Sequence, residues 1–370
     1  MPEIWIALPG LAFWIIVFLL PWRPWSTRES LDGKIGLDRD LSNVTVLIPA
    51  RNEATTISKT LTSIQHQGNI FKILLVDDQS SDGTAEIASN LKLENLQIIQ
   101  GDKLPADWSG KLWALEQGLS HVKTDYTLLL DADIELLPGT LAILIEKSQN
   151  DNCDLVSLMA SLRMQTLWEK MLMPAFIYFF KLLYPFSISN TNKTLIAAAA
   201  GGCILIKTDK LRAIDGFQTL KHELIDDCSL ARKIKQNHGK TWIGLTHSAV
   251  SHREYTQISM IWDMVTRTAF TQLYYSITLL ALCSILMTIA FILPFVAVLS
   301  NDQSNTLLGT VTFLLIWGTY IPIVRYYSLN PLWILTLPFA GILYLLMTWD
   351  SAIQHWKGKS AIWKDRTYSR

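Results

Sequence analysis

The sequence predicts an α/β domain, a mostly parallel sheet with flanking helices, joined to transmembrane helices at both ends. Half of the 370 residues are hydrophobic, and the longest apolar stretches gather near the two termini. Between Val44 and about residue 250 short β runs alternate with amphipathic helical segments, the pattern of a sheet with crossover connections. Mean hydropathy is positive, too apolar for an ordinary soluble enzyme, while the middle is too charged for a pure membrane bundle. The formal net charge is zero, so no basic field points to a nucleic-acid partner. Cys153, Cys203, Cys228 and Cys283 are widely spaced with no Cys-x-x-Cys pair. That spacing predicts reduced, buried thiols on a cytosolic face rather than a disulfide framework or a zinc site.

Residues 4 to 22 are apolar over nearly the ~20 residues that a membrane span requires, with Trp5, Trp22 and Trp25 as interfacial anchors. This predicts an amino-terminal anchor over residues 1–25. A cleaved signal peptide competes with it, but the leader carries Glu3 and no Lys or Arg, and no small-x-small cleavage site follows. Arg23, Arg28, Lys34 and Arg39 come next, which places the following domain, residues 40–255, in the cytosol against the cytoplasmic (inner) membrane.

Val44 to Ile48 reads as the first strand, broken by Pro49, and Ile57, Leu61 and Ile64 recur at helical spacing. Ile73 to Val76, Leu96 to Ile99, Leu128 to Leu130 and Cys203 to Ile206 read as further strands. Pro138 precedes a helix carrying Leu141, Leu144 and Ile145, and Leu224 to Ile234 forms another amphipathic helix. Residues 166–186 are apolar and aromatic but interrupted by Glu169, Lys170, Pro174 and Lys181. Such charges are costly in a span, so the segment is expected to lie in the interface as an amphipathic helix, with a core helix as the alternative.

A membrane-proximal segment, 256–273, leads to carboxy-terminal transmembrane helices over 274–350, with candidate spans at 274–299, 307–324 and 331–349. The loop Ser300 to Asn305 has no Lys or Arg and reads as external. Three full spans would put the tail, 351–370, outside, yet Lys357, Lys359, Lys364, Arg366 and Arg370 favour a cytosolic tail. One apolar segment is therefore expected to be re-entrant or interfacial.

The chemistry gathers at the ends of the predicted strands. Asp131 and Asp133 follow Leu128 to Leu130, and alternation would put both on one side with Ala132 facing away. Paired carboxylates at the carboxyl edge of such a sheet suit Mg²⁺ or Mn²⁺ holding a diphosphate, although an acidic turn is the plainer alternative. Pro49, Ala50, Arg51 and Glu53 close the first strand, and Asp77 and Asp78 close the second, at the same edge. A carboxylate there can accept a hydrogen bond from a pyrimidine imide. Asp82 before Gly83 reads as a turn or helix cap.

Three stretches, VLIPARNEATTI, VDDQSSDGT and LLLDAD, in this order, resemble the nucleotide-binding half of family 2 glycosyltransferases with the GT-A fold. The resemblance implies that Glu53 and Asp78 touch uracil and ribose, and that Asp131 and Asp133 bind the sugar nucleotide through a divalent metal. Asp107 to Ala114 is similar to the family's G-K-x-x-A segment, which implies that Lys111 lies near the phosphates. A cation at a helix start is electrostatically disfavoured, which by itself asks for an anionic partner. Glu223 to Leu230 resembles the E/D-D-x-x-L stretch and makes Asp227 the expected base, with Glu223 and Asp226 as ordinary helix-start acids.

The Q-x-x-R-W motif of processive members is missing, and Met264 to Thr268 stands in its place. Arg267 remains a diphosphate clamp candidate, while His252-Arg253-Glu254-Tyr255 could supply a metal or phosphate contact or be structural. In layout the chain resembles the hopene-associated glycosyltransferase group, related to ceramide glucosyltransferase-like enzymes, through its anchor, Trp262 to Leu273 and a basic aromatic tail. The resemblance implies an inverting transferase moving one sugar from a nucleotide-diphosphate sugar, a UDP-sugar, to a lipid acceptor of hopanoid or similar type. A processive polysaccharide synthase and a non-catalytic nucleotide-sugar-binding scaffold are the alternatives.

Overall fold

The computed structural model describes residues 6–37, 39–194, 196–358, 362–363 and 366–367. The expected roles of Glu3, Trp5, Lys359, Lys364 and Arg370 fall outside these residues. The chain divides into two units. A sheet unit holds Glu29–Arg163 and Ile188–Glu254; a helical unit holds the described parts of Met1–Arg28, Met164–Ser187 and Tyr255–Lys359. The excursion 164–187 thus leaves the expected 40–255 domain.

Eight strands make the sheet: β1 Val44–Ala50, β2 Lys72–Asp77, β3 Leu96–Gln100, β4 Tyr126–Leu130, β5 Ile134–Leu136, β6 Leu155–Ser161, β7 Cys203–Lys207 and β8 Thr241–Ser251. Their order is β3-β2-β1-β4-β7-β6-β8-β5. The β3-β2-β1-β4 half is parallel, as is β6 with β8, whereas β7 runs antiparallel to both neighbours and β5 antiparallel to β8. The architecture is the expected mostly parallel α/β sheet. The sequence reading finds β1 to β4 and β7 but not β5, β6 or β8. β5 is only three residues long, and serines, threonines and a histidine interrupt the apolar runs of β6 and β8.

Pro49 does not break β1. Pairing with β2 continues through Pro49 and Ala50, while pairing with β4 ends at Leu47. Ala50 turns its carbonyl to β2, where it accepts from the Asp78 amide at 2.8 Å. Alternation therefore turns the Pro49 nitrogen toward the side where the ladder has already ended, and the missing N–H costs nothing.

Alternation along the strands divides the core between the two faces. Val46, Ile48, Ile73 and Leu75 join Ile57, Leu61 and Leu144 on one side, and Leu47, Leu74 and Val76 join Leu112, Leu115, Leu230 and Ile234 on the other. Gly118 allows the second contact, since a Cβ there would stand 2.2 Å from Leu47 and 2.9 Å from Val76. Any side chain would push the helix Gly110–Leu119 away from the sheet.

In the helical unit three segments are long and apolar enough to cross a membrane: Ile277–Val298, Gln303–Tyr326 and Pro331–Trp356. The first contains a π turn at Thr288–Ile292, and the Ala290 carbonyl accepts the Trp14 indole N–H at 2.9 Å. The anchor segment forms a helix over Ala7–Leu19, 13 residues. At ~1.5 Å per residue it reaches about two thirds of a ~30 Å hydrocarbon core.

The helix Leu167–Leu183 departs from an interfacial amphipath. Glu169 and Lys181 are buried while Leu167 and Leu183 are more than half exposed. The Tyr178 hydroxyl meets Thr319 at 2.9 Å, and the Tyr344 hydroxyl donates to the Leu172 carbonyl at 2.8 Å. The charges face inward because they have partners there. Thr166 and Glu169 form a capping box, and the Tyr255 amide donates to Glu169 at 2.9 Å. The Lys181 ammonium lies 4.0 Å from the Phe186 ring centre.

Candidate active site

Because β7 is antiparallel, its start lies at the same edge as the carboxyl ends of β1, β2, β4 and β8. The helices Gly110–Leu119 and Asp226–Gln236 also begin at that edge. A cleft there is lined by Pro49, Lys111, Asp131, Gly201, Asp226 and Asp227.

Asp131 and Asp133 do not share a face by strand alternation. β4 ends at Leu130, and the Ile134 amide donates to the Asp131 carbonyl at 3.1 Å, closing a turn. Ala132 turns into the core, where its carbonyl accepts the Thr60 hydroxyl at 2.9 Å. The acids therefore take separate partners. Asp131 meets the Lys111 ammonium at 2.9 Å, and Lys111 also stands 3.4 Å from Asp226. Asp133 accepts from Ser251 and from Arg253 Nε, each at 3.1 Å, while the Arg253 terminal nitrogen reaches Glu53 at 2.8 Å.

Asp227 is the second residue of its helix. Its Oδ2 accepts the Gly201 amide at 2.8 Å and its Oδ1 the Cys228 amide at 2.7 Å. Burial, then the neighbouring charge of Asp226, push its carboxyl up to about 6, against the pull of Lys111 and the two amides. That range suits a base working near neutrality. Burial likewise raises Asp131, opposed by Lys111 and reinforced by Asp133. Burial would lower Lys111, but the charges of Asp131, Asp226 and Asp227 outweigh it and hold the ammonium above its ordinary value. A Cβ at 201 would stand 3.1 Å from the Lys111 ammonium and 3.4 Å from Asp227, so a side chain there would press on the ammonium.

The β1 and β2 loops are laced together. Arg51 donates to the Asp78 and Gln79 carbonyls at 2.6 and 3.2 Å, and the Asn52 amide donates to Ser80 at 3.0 Å. Asp82 accepts the Thr84 hydroxyl and the Ala54 amide, the turn role expected of it. Asp77 accepts from Gln100 at 3.0 Å. Ala50, Asp77 and Asp78 are buried at the strand ends, and the Glu53 amide donates to the Thr84 hydroxyl oxygen at 2.9 Å. Arg267 belongs to the helical unit, at the end of the helix Ile258–Thr266, and not to the unit holding the acids.

The sequence reading passed over Glu135, Gly201 and the bridging role of Arg253. His252 Nε2 meets Glu135 at 2.5 Å. Recognising β8 would have brought His252 and Arg253 to this edge, since they follow its last residue. Among the described residues no three carboxylate, imidazole or thiol groups converge on one point. Oxygen donors of this kind suit Mg²⁺ or Mn²⁺, commonly held by one or two carboxylates completed by substrate phosphates, once Lys111 and Arg253 release them. The mutual repulsion of Asp131 and Asp133 is the excess negative charge that such an ion would relieve.

All four cysteines are free, and Cys153, Cys203 and Cys228 are buried. The chain is similar to a mannosyltransferase from Pyrobaculum calidifontis solved in complex with GDP-Man and Mn²⁺, with a TM-score of 0.58, 18% identity, and coverage of 94% of this chain and 99% of that one. The likeness is one of fold. A 4,4'-diaponeurosporenoate glycosyltransferase of Staphylococcus haemolyticus (strain JCSC1435) is 35% identical over 94 residues, 25% of each chain. An undecaprenyl-phosphate 4-deoxy-4-formamido-L-arabinose transferase of Salmonella paratyphi B (strain ATCC BAA-1250 / SPB7) is 31% identical over 134 residues, 35% of this chain and 40% of that protein. The chain thus matches less than half the length of either curated relative. Residues 45–215, which run from β1 past β7 and include Asp131 and Asp133, match the model described as Glycosyl transferase family 2.

Proposed function

We propose that the chain is a membrane-associated inverting glycosyltransferase that moves one sugar from a nucleotide-diphosphate sugar to a lipid acceptor. The observation that carries this reading is Asp227, a carboxyl raised to about 6, at the cleft that Asp131 and Lys111 also line. In its ionised form Asp227 takes the proton from the attacking acceptor hydroxyl. Asp131 and Asp133 would hold the divalent cation, which when bound neutralises the diphosphate as it leaves. Lys111, once drawn from Asp131 and Asp226, offers its ammonium to the same phosphates. Glu53, Asp77 and Asp78 contribute to the nucleoside end of the cleft, with Pro49 as its wall.

Three apolar helices support a lipid acceptor and a place in the cytoplasmic membrane. The relatives' names support it too: one is named for 4,4'-diaponeurosporenoate and the other for undecaprenyl phosphate. A UDP-sugar is the donor we favour, with a hopanoid or similar polycyclic lipid as acceptor. The GDP-Man and Mn²⁺ of the structural neighbour make GDP-sugars the comparison donor.

The purified chain, reconstituted in lipid with Mn²⁺, would be incubated with radiolabelled UDP- or GDP-sugars and with hopanoid, polyprenyl phosphate or carotenoid acid. The expected result is a singly glycosylated lipid. Absence of label transfer to any lipid would overturn the reading, and a ladder of extended products would replace it with a processive synthase.

A further inference from the structure

Between Ser189 and β7 the chain passes through a run of small residues, Ala197 to Gly202, that is buried over its four alanines. Backbone groups along this strap are tied to side chains and backbone on both sides. The Ala198 amide donates to Ser189 Oγ at 2.9 Å, and the Ala200 amide to Ser157 Oγ at 2.8 Å. The Ala199 carbonyl accepts the Cys228 thiol at 3.5 Å. The Gly201 amide donates to Asp227 at 2.8 Å, and the Gly202 carbonyl accepts the Asp131 amide at 3.1 Å.

Upstream of the strap, Lys235 is 3% exposed and donates its ammonium to three carbonyls, those of Ser189 at 2.5 Å, Lys193 at 3.0 Å and Ile196 at 2.8 Å. A buried lysine ordinarily pairs with a carboxylate. Here the partners are all backbone. Burial draws the group down to about 8, while three carbonyl acceptors favour its charged form. The helix Asp226–Gln236 therefore holds the strap through Asp227 and Cys228 at its first turn, and the segment leading into it, Ser189 to Ile196, through Lys235 about two turns (~12 Å) later.

We propose that Lys235 is a positioning residue for the transfer reaction, fixing the register in which the strap delivers the Gly201 amide to Asp227 and the Gly202 carbonyl to Asp131. The inference rests on the reading of Asp227 as the base. Lys235 acts without touching substrate. Asp227 is faced by Asp226 and Lys111 and by the Gly201 and Cys228 amides, so losing the Gly201 donor raises its affinity for a proton.

The test combines two readouts on the full chain in lipid. In Lys235→Met, amide hydrogen exchange across 198–202 is expected to quicken by about tenfold or more. The acid limb of the transfer rate should move up by about half a pH unit, with kcat reduced and donor KM within about twofold of wild type. Lys235→Arg keeps the charge and should recover part of both effects. Ser189→Ala removes one strap bond while leaving Lys235 in place, and should produce the same changes at smaller size even if Lys235→Met fails to fold. Unchanged exchange across 198–202 in a folded Lys235→Met would overturn the inference. Faster exchange with an unmoved acid limb and unaltered kcat would overturn it as well. Hydrogen exchange needs no turnover, so a chain that transfers no sugar sinks the functional reading separately from the strap.

Discussion

Both units bury carboxylates, and they do opposite things with them. Glu169 in the helical unit is fully buried. Its Oε2 accepts the Gln165 and Thr166 amides at 2.9 Å each and its Oε1 the Tyr255 amide at 2.9 Å. Donors thus meet its charge from several sides, and nothing of like sign stands among those partners. Asp227 in the sheet unit also accepts two amides, but it faces Asp226 and shares Lys111 with Asp131 and Asp226. Too few cations serve too many acids there. The difference separates a carboxylate that ties down a helix start from one poised to exchange a proton.

Asp227→Asn tests the distinction most severely. It keeps the shape and one of the two amide acceptors at the helix start but removes the proposed base, so transfer should fall by ~10²–10⁴-fold, far more than the lost acceptor lowers the thermal midpoint. Full activity in this variant would break the comparison. Asp131→Asn and Asp133→Asn should each cost on the order of 10²-fold in kcat/KM, several kcal/mol of charge stabilisation, and should weaken Mn²⁺ binding measured by calorimetry in the presence of nucleoside diphosphate. Retained Mn²⁺ affinity in both would remove them as ligands.

A titration sharpens the same point. As the proposed base Asp227 works only when ionised, and its value is raised to about 6, so the rate should be at its plateau above that pH and fall by about tenfold per unit below it. Asp227→Asn should abolish that limb in whatever activity remains. An acid limb centred near 4 in the wild type would mean that the cluster does not perturb Asp227. The smallest catalytic effect is expected at Glu169. Glu169→Gln weakens the bonds to three amides and should cost ~1.5–3 kcal/mol of stability, read as a lower midpoint, with kcat and donor KM close to wild type in the folded fraction. A large kcat loss there would erase the contrast between the two units.

Much of this could be read from residue order. The apolar runs of β1, β2 and β4 end in acids, and strands that share a direction carry their terminal residues to one edge, so Glu53, Asp78 and Asp131 were bound to stand along that edge. Asp227 at the start of a helix followed from the acid pair before an amphipathic repeat. What stayed hidden was the far half of the sheet. β8 mixes serine and threonine into its buried positions, and without that strand Arg253 could not be brought beside Glu53 and Asp133. Glu169 and Lys181 misled for a related reason, because a charge in an apolar helix suggests an outward face until its inward partners are known.

The sequence by itself determined which residue types stand at the sheet edge, since hydrophobic alternation sets strand and helix identity and the strand ends set the edge. Only the tertiary structure decided how those groups share charge: Lys111 between Asp131 and Asp226, Arg253 between Asp133 and Glu53, Lys235 beneath the alanine strap. The physical reason is range. Periodicity is local and survives in the order of residues, whereas burial, repulsion between acids and the choice of a cation's partner arise from groups on different elements that meet only once the sheet is closed.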